Sequence, residues 1–309
     1  SSLLRARHRA LSTGKPISEL AREMGLNEAD IVKLASNENP LGVSPKARVA
    51  IAGALDGVAS VLAFYPDGNG FELKSAIAAK LDVDLSGIVL GNGSNDVLEL
   101  VARAFLAPGT SAVYSQHAFA VYPLVTQATG AAGIEVPALN FGHDLVAMRT
   151  AIRADTRVVF IANPNNPTGT LLEAAALHAF LKSVPEQVVV VLDEAYGEFL
   201  DASLQAPAVA WMAEFPNLVL TRTFSKAYGL AGLRVGYALA QADVAGMLNR
   251  VRQPFNVNSL ALLAASAALN DVDFLVESKR VNDAGMAQLT QGFQRLGLEF
   301  IASFGNFVC

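Results

Sequence analysis

Cysteine is nearly absent from this 309-residue chain: Cys309 is the only one, and it is the last residue. One thiol cannot close a disulfide within the chain, which excludes a disulfide-stapled scaffold and makes a reducing compartment, the cytoplasm by default, the expectation. Histidine is scarce as well. His8, His117, His143 and His178 share no metal-ligand spacing with one another or with Cys309, so no metal site is expected. Long apolar runs are missing. "VVVVL" and "LALLAASAAL" are far too short to span a bilayer, and "SSLLRARHRA" lacks an apolar signal core. An excess of positive charge is missing too. With 23 Lys and Arg against 28 Asp and Glu the net charge is -5, and no stretch clusters basic with aromatic residues, so nothing marks a nucleic-acid surface. Neither a GxSxG elbow nor a GxxxxGK[ST] loop occurs.

What is present is a chain more than half hydrophobic, rich in alanine and long enough for one large domain or two modest ones. Before about residue 32 it reads as an exposed arm with one short amphipathic helix, "PISELAREMG". A loop of turn formers, "LASNENPLGVSP", precedes the helix "KARVAIAGAL", and the turn "YPDGNG" precedes "FELKSAIAAKL". From there strands and helices alternate. "GIVLG", "SAVYS", "TRVVFIANP", "QVVVVLDEAY", "LVLTRTF" and "RVGYALA" read as strands, with helices such as "NDVLELVARAFL" and "LLEAAALHAFLKSV" between them and another beginning near Phe119. Continuous Val/Ile/Leu runs separated by helices indicate an α/β fold: a mostly parallel sheet sandwiched by helices. A long amphipathic helix is expected over residues 273–296, and "LEFIASFGNFVC" reads as a strand entering a further subdomain. With no initiating Met and this abrupt end, both termini are expected to be cut. The expected division is an arm and junction segment at 1–45, a large ligand-binding domain at 46–270, and at 271–309 a bridging helix with the start of a second, smaller α+β domain.

In open α/β sheets ligands sit beyond the carboxyl ends of the strands. Four such ends carry chemistry here. "GIVLG" runs into Asn92, Gly93, Ser94 and Asn95 at a helix start, where unpaired N–H groups and a positive dipole end favour a phosphate or carboxylate. A tight capped turn would have the same sequence. A dinucleotide site fits less well: the third glycine of GxGxxG is missing, and no acidic residue lies about twenty positions beyond Gly93. "RVVFIANP" runs into Asn165 and Asn166. "VVVVL" ends at Asp193, with Tyr196 three residues on. A carboxylate after five apolar strand residues is buried, and it needs a cation or several donors; a helix cap or internal salt bridge is the alternative. Glu194 points to the opposite side of the strand, so the two carboxylates are not read as an acid–base pair. "LVLTRTF" ends at Ser225 and Lys226. A solvated lysine at a helix start is the plain reading, yet an amine near a positive dipole end is disfavoured unless a depressed pKa is useful. Arg234, eight residues on, can return to the same site as a fixed fork for a phosphate.

The blocks "KLASNENPLGVSP", "YPDGNGFELKSAIA", "GNGSND", "ANPNNPTGT", "LDEAYGEF" and "TFSKAYGLAGLRVG", in this order and nearly end to end, resemble the fold-type I pyridoxal-phosphate aminotransferases and, within them, the histidinol-phosphate aminotransferase subfamily. The resemblance implies pyridoxal 5'-phosphate as cofactor and amino transfer between histidinol phosphate and 2-oxoglutarate, giving glutamate, in histidine biosynthesis. It makes Lys226 the amine that condenses with the cofactor aldehyde and later moves a proton, and Asp193 the partner of the pyridine nitrogen. Asn166 and Tyr196 would bond the ring oxygen, and Phe119 would stack on the ring where the subfamily often has tyrosine. The phosphate would be held by Gly93, Ser94, Asn95, Thr223, Ser225 and Arg234, and by Tyr65 from a second subunit of a homodimer. Asn39 would lie near the substrate. The family's substrate-binding arginines are expected beyond residue 309. An aromatic amino-acid aminotransferase and a threonine-phosphate decarboxylase share this cofactor site, as does a cofactor-binding regulatory module. The last is disfavoured by the lack of a helix-turn-helix.

Overall fold

The computed structural model describes residues 15–56 and 61–309. Residues 1–14, with His8 and the first part of the expected arm, lie outside the described part. Seven strands form one sheet: β1 (Ile88–Gly91), β2 (Ser111–Ser115), β3 (Ala132–Val136), β4 (Thr156–Ala162), β5 (Val189–Asp193), β6 (Leu218–Thr223) and β7 (Gly236–Leu239). Their order is β1-β7-β6-β5-β4-β2-β3. Only β7 runs against its neighbours, pairing antiparallel with both β1 and β6. The expected mostly parallel sheet is therefore what the chain forms.

Strand alternation splits the core in two. Val189 and Val191 of β5 face one side, with Phe160 and Val219, under the helices Ser94–Phe105, Val121–Ala128 and Ala242–Val251. Val190 and Leu192 face the other, with Ile161 and Leu220, under Phe71–Leu81, Ala174–Ser183 and Ser259–Leu269. Both faces are covered, which is why these strands carry no polar alternation. Each buried Val, Leu or Ile contributes about 1.5–3 kcal/mol relative to exposure.

Two of the helices that flank the sheet begin on capping side chains. Ser44 accepts from the Ala47 N–H ahead of Pro45–Leu55, with proline at the first helical turn, and Asn258 accepts from Ala261 ahead of Ser259–Leu269. Asp67 of the "YPDGNG" turn accepts from the N–H groups of Asn69 and Phe71. The long helix is Val272–Arg295.

The helix expected near Phe119 runs from Val121 to Ala128. Two expectations need correcting. Lys226 does not start a helix: residues 224–226 are bends and the next helical turn is the short Ala231–Leu233. The terminal "LEFIASFGNFVC" is not a strand, because no neighbouring strand offers it a ladder. Its backbone N–H groups bond outward at Leu298, to Phe293 O at 2.9 Å, and at Phe304, to Gly169 O at 2.8 Å, while Ile301 bonds Cys309 O within the segment at 2.7 Å.

Candidate active site

The carboxyl ends of β4, β5 and β6 and the start of the helix Ser94–Phe105 open on one cavity of about 190 Å³. Three chemically distinct stations line it.

The first is an anion cradle. Gly93 sits at φ 83° before the helix, and a Cβ there would come within 2.6 Å of the Arg234 guanidinium. Only glycine lets the helix start and the arginine approach this closely. Arg234 itself adopts a left-handed φ of 58°, which turns its side chain back toward β6. Its Nη1 donates to Ala231 O at 3.0 Å and to Ser225 Oγ at 3.4 Å. Ser94, Asn95, Thr223 and Ser225 complete the wall. Free helix N–H groups, hydroxyls and a guanidinium converging on one volume suit a dianion.

The second station is Asp193, 4 % exposed at the end of β5. Among the described residues no cation forms an ion pair with it. Tyr122 Oη donates to its Oδ2 at 2.8 Å, and the Ala195 N–H donates to Oδ1 at 3.2 Å. Burial pushes its pKa up, and the Tyr122 hydroxyl pulls it back down. Glu194, one residue on, faces the other side of the sheet as the alternation requires. There Arg222 donates to it through Nε at 2.9 Å and Nη2 at 2.8 Å.

The third station is Lys226. Its Nζ donates to Ser36 O at 3.1 Å and lies 5.6 Å from the centre of the Tyr196 ring. Burial lowers the amine's pKa; Glu38 opposes this, and the Arg234 charge adds to the lowering. Burial is the first cause of this lowering, and no helix begins at Lys226 itself. Gly229, three residues on, has φ 72°, and a Cβ there would meet Gly42 O at 1.9 Å. The small residues after Lys226 let the segment 36–43 lie against it.

Tyr196 is buried, accepts from Asn37 Nδ2 at 3.1 Å and is pushed up to about 12 by burial. Phe119 and Asn166 line the same cavity. Three sequence candidates do not. Gly93 sits behind the helix start, against the Arg234 guanidinium. Tyr65 is 83 % exposed and stacks on Phe255 at 4.8 Å. Asn39 directs its amide to Ala227 O at 2.9 Å and Ser278 Oγ at 2.8 Å, at the junction with the long helix. Sequence reasoning missed Tyr122, Asn37 and Ser36. Tyr122 falls three residues after Phe119 in "HAFAVY", a helical spacing that would have put both on one face.

A mostly parallel sheet with this constellation at its carboxyl edge defines an α/β enzyme of the fold-type I pyridoxal-phosphate class. The family profile of aminotransferase class I and II matches residues 29–309, and the chain belongs to that family. It is 63 % identical to the histidinol-phosphate aminotransferase of Methylobacillus flagellatus over 96 % of this chain and 79 % of that one. To histidinol-phosphate aminotransferase 2 of Nitrosospira multiformis it is 61 % identical, over 96 % of this chain and 74 % of the relative. The crystal structure of histidinol-phosphate aminotransferase from Sinorhizobium meliloti in complex with pyridoxal-5'-phosphate superposes with a TM-score of 0.88 at 29 % identity, covering 99 % of this chain and 80 % of that one. Like its relatives, the chain is an aminotransferase.

Proposed function

We propose that the protein uses pyridoxal 5'-phosphate to move an amino group between L-histidinol phosphate and 2-oxoglutarate, as the names of its relatives suggest. The observation that carries this is a single cavity joining a depressed amine, a buried carboxylate without a cation, and an anion cradle that a Cβ at Gly93 would fill. Those are the complements of an aldehyde, a pyridinium nitrogen and a phosphate. When bound, the cofactor supplies an electron sink for the substrate carbon that loses its proton.

The chain's own residues do the rest. Lys226 would hold the cofactor through its aldehyde, and its Nζ, when free, would carry a proton. Asp193 would keep the pyridine nitrogen protonated. Opposite charges about 4 Å apart at an effective dielectric near 20 attract by roughly 4 kcal/mol. Asn166 and the Tyr196 hydroxyl would bond the ring oxygen, and Phe119 would lie against the ring. Gly93, Ser94, Asn95, Thr223, Ser225 and Arg234 would hold the phosphate. Residues 46–270 form the cofactor-binding unit, with 1–45 as arm and junction and 271–309 as the bridge into a smaller domain. Asn39, on that junction, orders the segment beside the substrate.

A homodimer with Tyr65 reaching a partner's phosphate cradle fits the exposure of Tyr65, Phe64 at 72 % and Val49 at 71 %. A cytoplasmic location fits the lone thiol at Cys309. No single helix among the described residues is long and apolar enough to cross a membrane; the pair Ser259–Leu269 and Val272–Arg295 passes together but is bent by 81°.

Competition among amino donors tests the substrate. Histidinol phosphate should outcompete phenylalanine and tyrosine with 2-oxoglutarate as acceptor. A preference for phenylalanine would assign the aromatic substrate, and carbon dioxide release without use of 2-oxoglutarate would assign a decarboxylase.

A further inference from the structure

A carboxylate buried as Asp193 is takes up a proton unless donors or a cation prevent it. The titratable and charged groups around it are Tyr122 from the helix Val121–Ala128, Tyr196 and Glu194 from the segment after β5, and Lys226 from the segment after β6. Glu194 works against ionisation and is itself turned away onto Arg222. Lys226 bonds Ser36 instead, and Tyr196 accepts from Asn37. Tyr122 gives its hydroxyl to the acid at 2.8 Å and, among the side chains that favour the ionised form, comes ahead of Thr221 on the adjoining strand.

Everything around Tyr122 holds it in that service. Its ring is fully buried, lies 4.9 Å from the Phe160 ring at an interplanar angle of 6°, and meets Phe119 edge-on at 5.8 Å. Thr126 Oγ1 donates to its carbonyl at 2.8 Å. Burial and the neighbouring carboxylate keep its own proton in place, so it donates and does not ionise. Phe119, the ring-face residue, and Asp193 are thereby linked through one side chain.

We propose that Tyr122 is a positioning residue for Asp193: its hydroxyl fixes one carboxylate oxygen and holds the group ionised, so that bound pyridoxal phosphate meets an anion of set orientation. The inference rests on the cofactor reading above. Loss of a hydrogen bond to a charged group corresponds to about one pH unit or more.

The test is equilibrium binding of pyridoxal phosphate to the apo-protein between pH 5 and 8, for wild type, Y122F and D193N, with the unfolding midpoint of each. Wild-type affinity should fall toward acid. In Y122F that fall should begin about one pH unit higher, with affinity several-fold weaker toward pH 5 and close to wild type at pH 8. The phosphate's own titration is common to both proteins and leaves the difference untouched. D193N should bind weakly throughout. If the Y122F curve coincides with wild type while its unfolding midpoint drops, Tyr122 is packing only and the proposal is overturned. If D193N binds like wild type, the cofactor reading fails and takes this inference with it. Should Y122F not fold, infrared titration of wild-type apo-protein decides, with the Asp193 band assigned against D193N. An ionised Asp193 at pH 6 supports the proposal, and a protonated one overturns it.

Discussion

Asp193 and Glu194 are neighbours in the chain and opposites in circumstance. Strand alternation sends Glu194 to the far side of the sheet, where Arg222 binds it through two nitrogens and the side chains are 12 % and 21 % exposed. That charge is spoken for, and the Arg222 guanidinium is held charged even more firmly than usual by Glu194. Asp193 has hydroxyl and backbone donors but no ion pair among the described residues, and it opens on a cavity. A self-neutralised pair is structure; a buried anion without its counter-charge is a site waiting for a cationic ligand. The same contrast holds on β6, where Thr223 faces the cavity and Arg222 faces away.

The contrast can be broken by substitution on either side. The largest effect is expected at the amine: Lys226→Ala should abolish transamination, about a thousandfold or more, and the cofactor's covalent absorbance with it. Retained turnover would remove this lysine from the chemistry. Next is Asp193→Ala, which should cost about three decades in kcat, the rate equivalent of roughly 4 kcal/mol, with little loss of stability. On the far face the pattern should invert. Arg222→Met leaves Glu194 buried and unpaired, so chemical denaturation should show a loss of about 3–5 kcal/mol. Cofactor affinity of the folded fraction should change by less than about tenfold. If Arg222→Met instead destroyed cofactor binding in a stable protein, the two faces would not be separable.

Smaller effects sharpen the picture. Tyr65→Phe should weaken cofactor retention several-fold, on the order of one hydrogen bond to a charged group, in a protein that sediments as a dimer. Unchanged affinity would argue against the cross-subunit contact. The smallest concerns Glu198, beside Arg222. Its Oε2 is buried without a hydrogen-bond partner among the described residues, and burial pushes its pKa up to about 7 from an ordinary 4.5. A raised folded pKa means that the folded state favours the proton. This stabilisation is complete below about 4.5 and is lost as pH rises through about 7. Glu198→Gln should flatten the decline of stability across that window, while a decline of equal slope in the variant would point to other groups.

Much of this was legible in the chain because its cues were local. β4, β5 and β6 are unbroken Val/Ile/Leu runs, and the polar residues that end them sit at the sheet edge where ligands bind. Asp193 and Lys226 could be named for that reason, and Arg234 for its spacing from Lys226. β3 could not: "AGIEV" is an edge strand, exposed over much of its length, with no apolar run to announce it. The helix Leu145–Ala151, only 7 residues long, carries little periodic signal. "LEFIASF" looked like a strand because its composition is right, but a strand exists only where a partner strand does. Tyr122 escaped because a tyrosine on a helix reads as core until a long-range contact, here across 71 residues to Asp193, shows what its hydroxyl does.

The account stands most squarely on which side chain holds the cofactor. Borohydride reduction of the protein loaded with pyridoxal phosphate, followed by proteolysis and mass mapping, should place one phosphopyridoxyl group per chain on Lys226, in the peptide spanning residues 223–234. A label on any other lysine, or none at all in protein that has taken up the cofactor, would contradict it.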